Sequence, residues 1–182
     1  MKRMISVVLS ILALSAVAFA QTPAETIEKA LLAAPRQMRE GATVIKWKAD
    51  FTYDTLKKGT NRLVCYDRSG QPGQQPFSVE CTSIANLDRV AQSLKIEANS
   101  DRNAVRAAFE AAEKAGTWLK PEFGSLFINL TGADQASARM HTTIAVPGAT
   151  TQSLGLPENG NQGGAWIMNA GTSAAHLMTP GH

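Results

Sequence analysis

Cysteine is scarce in this chain of 182 residues, which contains Cys65, Cys81 and no C-x-x-C pair. Two cysteines allow only one intramolecular disulfide, and nothing in their spacing indicates a metal-binding or redox motif. No histidine or basic cluster lies near them in the sequence, which argues against a reactive thiolate. We therefore predict a structural disulfide that closes the turn-rich segment 65–81, which is rich in Gly, Pro and Gln.

The chain also lacks runs of basic residues. It has 18 Lys and Arg against 15 Asp and Glu, and aromatic residues make up 6% of it. Nucleic-acid binding usually requires a basic patch, often interleaved with aromatic residues. We therefore expect no nucleic-acid partner.

A long apolar run occurs only at the N-terminus. Lys2 and Arg3 precede the apolar stretch 5–17, and Ala18-Phe19-Ala20 has the small-x-small pattern of a cleavage site. The apolar stretch is shorter than the roughly 20 residues that a membrane span needs. We predict a signal peptide over residues 1–20 and no membrane span once it is removed.

Export implies a periplasmic or secreted location, where paired cysteines persist. Two of the basic residues lie in the predicted leader, so the remaining chain has a formal charge close to neutral. Residues 21–182 are long enough for one domain with a hydrophobic core.

Residues 21–182 alternate between helical and strand-like patterns. Capping residues and apolar periodicity predict helices at 22–34, 85–96 and 100–116, the last capped by Ser100. β-branched and apolar runs predict strands at 42–48, 62–66, 77–81, 124–130, 140–146, 165–169 and 175–179. The predicted fold is a single α+β domain: an antiparallel sheet with two or three segregated helices and one disulfide.

Three details of this fold are also predicted. The strands 42–48 and 62–66 are expected to form an antiparallel pair, and 147–164 a long mobile loop. Both later helices carry apolar stripes that we expect to be buried. These stripes are Leu87, Val90, Ala91 and Leu94 in one helix, and Val105, Ala108, Phe109 and Ala112 in the other.

Histidine is rare, and all three histidines fall in the last third of the chain. His141 follows a methionine, His176 lies two residues before Met178, and His182 ends the chain. Imidazole and thioether ligands together suit copper, and residues two apart on a strand share a face. His141, His176 and Met178 are therefore candidate copper ligands. Our prediction is nevertheless that no cofactor is bound, with copper as the alternative, because methionine is also a common core filler.

Signals for catalysis are weak. No G-x-S-x-G motif occurs, and Ser125 or Ser173 can meet His176 only through the fold. The polar loop around Asp134 can bind a ligand or simply turn the chain. No acid–base pair or metal set gathers in segment 65–81, so we expect any site to lie on the C-terminal strands.

Three functions remain open, with the partner unknown in each. The first is a non-catalytic binding or envelope-associated module, which predicts an apolar groove or exposed patch near 147–164 and no convergent titratable cluster. The second is a periplasmic copper-binding protein, and the third is a secreted hydrolase.

Several stretches together resemble an uncharacterised group of secreted bacterial proteins. They are the segment 38–47, the run L-K-K-G-T-N-R-L-V-C at 56–65, the P-G-Q-Q-P loop before Cys81, and the W-I-M…H-L-M stretch at 166–178. This resemblance implies one exported domain. It implies no particular activity or cofactor.

Overall fold

The computed structural model describes residues 22–99 and 101–180, so the predicted leader, Ser100 and His182 lie outside the described residues. The helices are α1 (Pro23–Ala30), α2 (Leu87–Glu97), α3 (Arg102–Lys114) and α4 (Thr151–Leu154). The strands are β1 (Thr43–Trp47), β2 (Tyr53–Lys57), β3 (Leu63–Asp67), β4 (Phe77–Ser83), β5 (Leu126–Gly132), β6 (Arg139–Ala145), β7 (Trp166–Met168) and β8 (His176–Met178). None of the helices in this part of the chain is long and apolar enough to cross a membrane.

The eight strands form one sheet in the order β2-β1-β3-β4-β5-β6-β8-β7. Neighbouring strands are antiparallel except β1 and β3, which are parallel. The predicted α+β class is confirmed, with a mixed sheet. The expected antiparallel pairing of 42–48 with 62–66 is wrong, because β2 turns back along β1 first and β3 then enters on the other side of β1. The polar sequence of β2 suits an exposed edge strand.

Helices cover both faces of the central sheet. In β3, Leu63 and Cys65 face α1 while Val64 and Tyr66 face α2, because side chains alternate along a strand. β4 lies in the middle of the sheet and is buried at every position. The sheet therefore has two separate cores, one beneath α1 and one beneath α2.

α1 begins with a capping box between Thr22 and Glu25, with Pro23 in the first turn. Its C-terminal end and the turn after it contribute Ala30, Ala33 and Ala34, all of them essentially without solvent exposure. Such small side chains allow the backbone to lie close to the sheet.

The apolar stripe of α2 is buried as predicted at Leu87, Val90 and Leu94. The buried stripe predicted for α3 is wrong, since no residue of α3 is buried and Ala108 is exposed. α2 already occupies the sheet, so α3 packs against the outside of α2. Within the described residues, Asp101 provides the N-terminal cap of α3.

The segment 147–164, predicted as a long mobile loop, contains two short helical turns. Thr150 and Ser153 form a capping box that begins α4, and a 3-10 turn follows at Gly160–Gln162. Ala149 is buried against Val146 and Ile167 in a third small core. These apolar anchors hold the segment against the end of the sheet.

Cys65 and Cys81 occupy directly opposed positions on β3 and β4, with 4.1 Å between their Cα atoms, and their sulfurs are bonded. The predicted disulfide is confirmed. It lies in the core rather than at the surface, because both cysteines are fully buried beneath α1. Only residues 68–76 project as a loop.

Replacing both cysteines by alanine should lower the free energy of unfolding. The bonded residues are 16 apart in sequence, and closing a loop of that length is worth about 3 kcal/mol in the chain-entropy model. Urea denaturation of Cys65→Ala/Cys81→Ala and of the wild type with and without reductant measures this difference. Coincident midpoints for the double variant and the oxidised wild type would contradict the prediction.

Candidate functional site

A cavity of about 300 Å³ lies on the α2 face of the sheet. Arg89, Ser93 and Glu97 of α2 form one wall, because residues four apart lie on the same side of a helix. Strands β4, β5, β6 and β8 supply the opposite wall, which includes Glu80 and His176. The volume is at the lower end of the range for small-molecule sites.

Arg68 lies at one end of this cavity between two carboxylates. Its Nη1 is 3.4 Å from Oε2 of Glu80, and its Nη2 donates to Oε2 of Glu97. Its Nε donates to the side chain of Gln71 at 2.9 Å. The side chains of Arg68 and Glu80 are 11% and 9% exposed. One guanidinium therefore serves two carboxyl groups, of which Glu80 is nearly buried.

Burial and mutual attraction shift the pKa values of Glu80 and Arg68. Burial raises the pKa of the Glu80 carboxyl, and the neighbouring Arg68 only partly opposes the effect. Burial lowers the pKa of Arg68, but attraction by Glu80 and Glu97 more than compensates and leaves it raised. Tyr66 is fully buried beside these residues, and burial together with the charge of Glu80 raises the pKa of its phenol well above the ordinary value. Its hydroxyl has no hydrogen-bond partner in the described part of the chain.

Arg89 lies on the α2 wall and is only 8% exposed. Its guanidinium stacks on the ring of Trp118 at 3.9 Å, and its Nη1 donates to the Leu119 carbonyl. No ion pair of Arg89 occurs among residues 22–99 and 101–180. Burial lowers its pKa to about 10, against a smaller opposing effect of Glu113. It is thus a charged group that is desolvated without a carboxylate partner.

The structure does not bring the three predicted copper ligands together. His176 lines the cavity, with Nδ1 2.8 Å from the Ala174 carbonyl, and Met178 is two residues further along the same strand. His176 pairs with Ala145 of β6, whereas His141 is exposed four residues earlier on β6. Four strand residues span about 13 Å, too far for both imidazoles to reach one ion when side chains stand perpendicular to the sheet.

The described residues also contain no group of three His, Cys, Asp or Glu side chains arranged to hold a metal ion. The serines considered for hydrolysis have other partners. Ser173 donates its hydroxyl and its backbone N–H to Glu113, and Ser125 donates to the Glu122 carbonyl at 2.6 Å. Asp134 accepts from Ser137 within a local turn.

The expectation of no convergent titratable cluster is wrong. Arg68 and Glu80 belong to segment 65–81, which by sequence held no site, and they meet Glu97 of α2 across the fold. Of the predicted site residues, His176 lines the cavity. Two sequence signals point to the cluster. Arg89, Ser93 and Glu97 are spaced four residues apart, which places them on one side of a helix. Glu80 and Cys81 are adjacent in a strand, so their side chains point to opposite faces of the sheet.

Glu80 should make stability depend on pH. The pKa of Glu80 in the folded protein lies above the ordinary value of 4.5, which applies to the unfolded chain. At pH values between these two pKa values the folded state binds more protons than the unfolded state, so the free energy of unfolding falls as pH rises. Glu80→Gln cannot titrate, and Arg68 keeps Glu97 as its partner. We expect the stability of Glu80→Gln relative to the wild type to increase as pH rises above 4.5.

Urea denaturation at a series of pH values from 4 to 8 measures this effect. Glu28→Gln, which alters an exposed carboxylate of α1 on the other face of the sheet, is the matched control and should follow the wild-type profile. Parallel pH profiles for Glu80→Gln and the wild type would contradict the assignment.

The cavity therefore contains the buried cation Arg89, which forms no ion pair among the described residues, and two carboxylates that share Arg68. Ser93 and Thr143 add hydroxyl groups, and Asn169 adds an amide. This set can hold a small polar molecule through directed hydrogen bonds and charge. Comparisons of the chain with family models, with curated proteins and with solved structures found no match.

Proposed function

We propose that this protein is a non-catalytic binding module that holds a small carboxylate-bearing molecule in the cavity beneath α2. The observation that carries the proposal is Arg89, a buried guanidinium with one backbone acceptor and no carboxylate partner in the described chain. A buried charge that forms no ion pair is costly, and Glu113 acts on Arg89 only from beyond ion-pair distance among the described residues. A ligand carboxylate would supply the missing partner.

The surroundings of Arg89 favour a planar anion. A guanidinium has five N–H donors in a fixed fork, which matches the two oxygens of a carboxylate. Stacking on Trp118 at 3.9 Å fixes the plane of that fork. Since the Leu119 carbonyl accepts one of the N–H groups, the remaining donors serve a ligand.

Binding fits this site better than hydrolysis. A hydrolase needs a nucleophile or an acid–base pair in reach of the substrate, and the two serines considered for that role are bonded to Glu113 and to the Glu122 carbonyl. Glu80 is shielded from solvent and held by Arg68. Glu80 is thus held in a fixed position.

The proposed module acts outside the cytoplasm, in the periplasm or after secretion. The leader pattern of residues 1–20 supports export, and the buried Cys65–Cys81 bond suits an oxidising compartment. In this proposal the partner is a small molecule that carries a carboxylate group.

Arg89→Met should weaken carboxylate binding while the protein remains folded. Methionine keeps an apolar contact with Trp118 and removes a charge whose burial costs free energy, at the loss of one hydrogen bond to the Leu119 carbonyl. Isothermal titration with linear carboxylates from butanoate to octanoate, each compared with its neutral amide, tests the binding. We expect the carboxylates alone to bind, and Arg89→Met to weaken them at least about tenfold, as loss of a charged hydrogen bond implies.

Arg36→Met, which alters an exposed arginine in a turn after α1, is the control and should retain wild-type affinity. Equal binding of carboxylate and amide, or unchanged affinity in Arg89→Met, would refute the proposal. A large loss of stability in Arg89→Met without ligand would instead assign Arg89 a structural role.

A further inference from the structure

We infer that the ligand of this cavity is a zwitterion, with its carboxylate at Arg89 and an ammonium group at Glu97. This inference rests on the proposed function, since it assumes that Arg89 holds a carboxylate. It adds the second charged group of the ligand and the residue that recognises it.

The two charged residues lie on one wall of the cavity. Arg89 and Glu97 are eight residues apart on α2, which corresponds to about 12 Å along the helix axis. Ser93 lies midway between them and also lines the cavity. The wall therefore presents a cation, a hydroxyl group and an anion in order along one helical stripe.

The two ends of the cavity differ in their balance of charge. At the Arg89 end a cation has no carboxylate partner among the described residues. At the other end Arg68 is shared by Glu80 and Glu97, so two carboxyl groups face one cation. A ligand with an anion at one end and a cation at the other would complement both ends.

Glu97 is the accessible member of the shared pair. Its side chain is 27% exposed, against 9% for Glu80. Arg68 donates to its Oε2, and its Oε1 accepts no hydrogen bond from the described residues. An ammonium group has three donors and no acceptor, so it can bind Oε1 without displacing Arg68.

Much of the remaining cavity lining is apolar. Val90, Pro121, Phe127 and Ala145 contribute to it together with Ser93 and Thr143. This lining suits a short chain that joins the two charged groups. The chemical class is therefore an ω-amino acid or a short peptide with free termini, in which carboxylate and ammonium are separated by several atoms.

Isothermal titration with 6-aminohexanoate and hexanoate tests this inference, since the two probes differ only in the ammonium group. We expect the wild type to bind 6-aminohexanoate at least about tenfold more tightly, as a charged hydrogen bond implies. Glu97→Gln should lose this advantage and retain its affinity for hexanoate, which also shows that the variant is folded. Titration with 4-aminobutanoate and 8-aminooctanoate then locates the preferred separation of charges.

Glu28→Gln is the control and should keep the full advantage of the zwitterion. Equal affinity for the two probes in the wild type, or an undiminished advantage in Glu97→Gln, would overturn the inference and leave the proposed carboxylate site intact. Failure of both probes and of the other carboxylates to bind would overturn the proposed function, and this inference with it.

Discussion

The pairing of β3 with β4 is the constraint on which the rest of the structure depends. The Cys65–Cys81 bond joins directly opposed residues of these strands. A slip of one residue would exchange the two faces of a strand, and the bond prevents such a slip. The cysteines point towards α1, so Tyr66 and Glu80 point towards α2. The disulfide thereby determines which face receives the charged groups, although it is not itself part of the cavity.

α2 acts on the same sheet in two ways. Its apolar stripe, Leu87, Val90 and Leu94, closes the core over β1 and β3. Its adjacent stripe presents Arg89 and Glu97 to the cavity. The packing of α2 on the sheet therefore holds the charged residues in position. Burying these charges costs free energy, and the apolar contacts of the two cores offset that cost. Departures from a satisfied interior of this kind are expected at functional sites.

Local patterns predicted the elements whose neighbours lie close in sequence. The N-terminal cap of α1 and the apolar stripe of α2 are predictable from the sequence, because helix caps and helical periodicity depend on nearby residues. The polar sequence of β2 resembles a turn and does not predict a strand. The exposure of α3 is not predictable either, because an apolar stripe does not show whether any face of the sheet remains uncovered. The Thr150 capping box of α4 lies in a segment rich in glycine and polar residues, a composition that favours a loop. The leader, the exported location and the resemblance stay predictions.

By itself the sequence determined the disulfide, since two cysteines permit one pairing, and it determined the α+β class, since strand and helix periods are local properties. Only the tertiary structure decided that β1 and β3 run parallel, that His141 lies far from His176, and that Arg68 meets both Glu80 and Glu97. These relations join residues far apart along the chain. Their formation depends on the free energy of packing the whole sheet, which no short stretch of sequence contains.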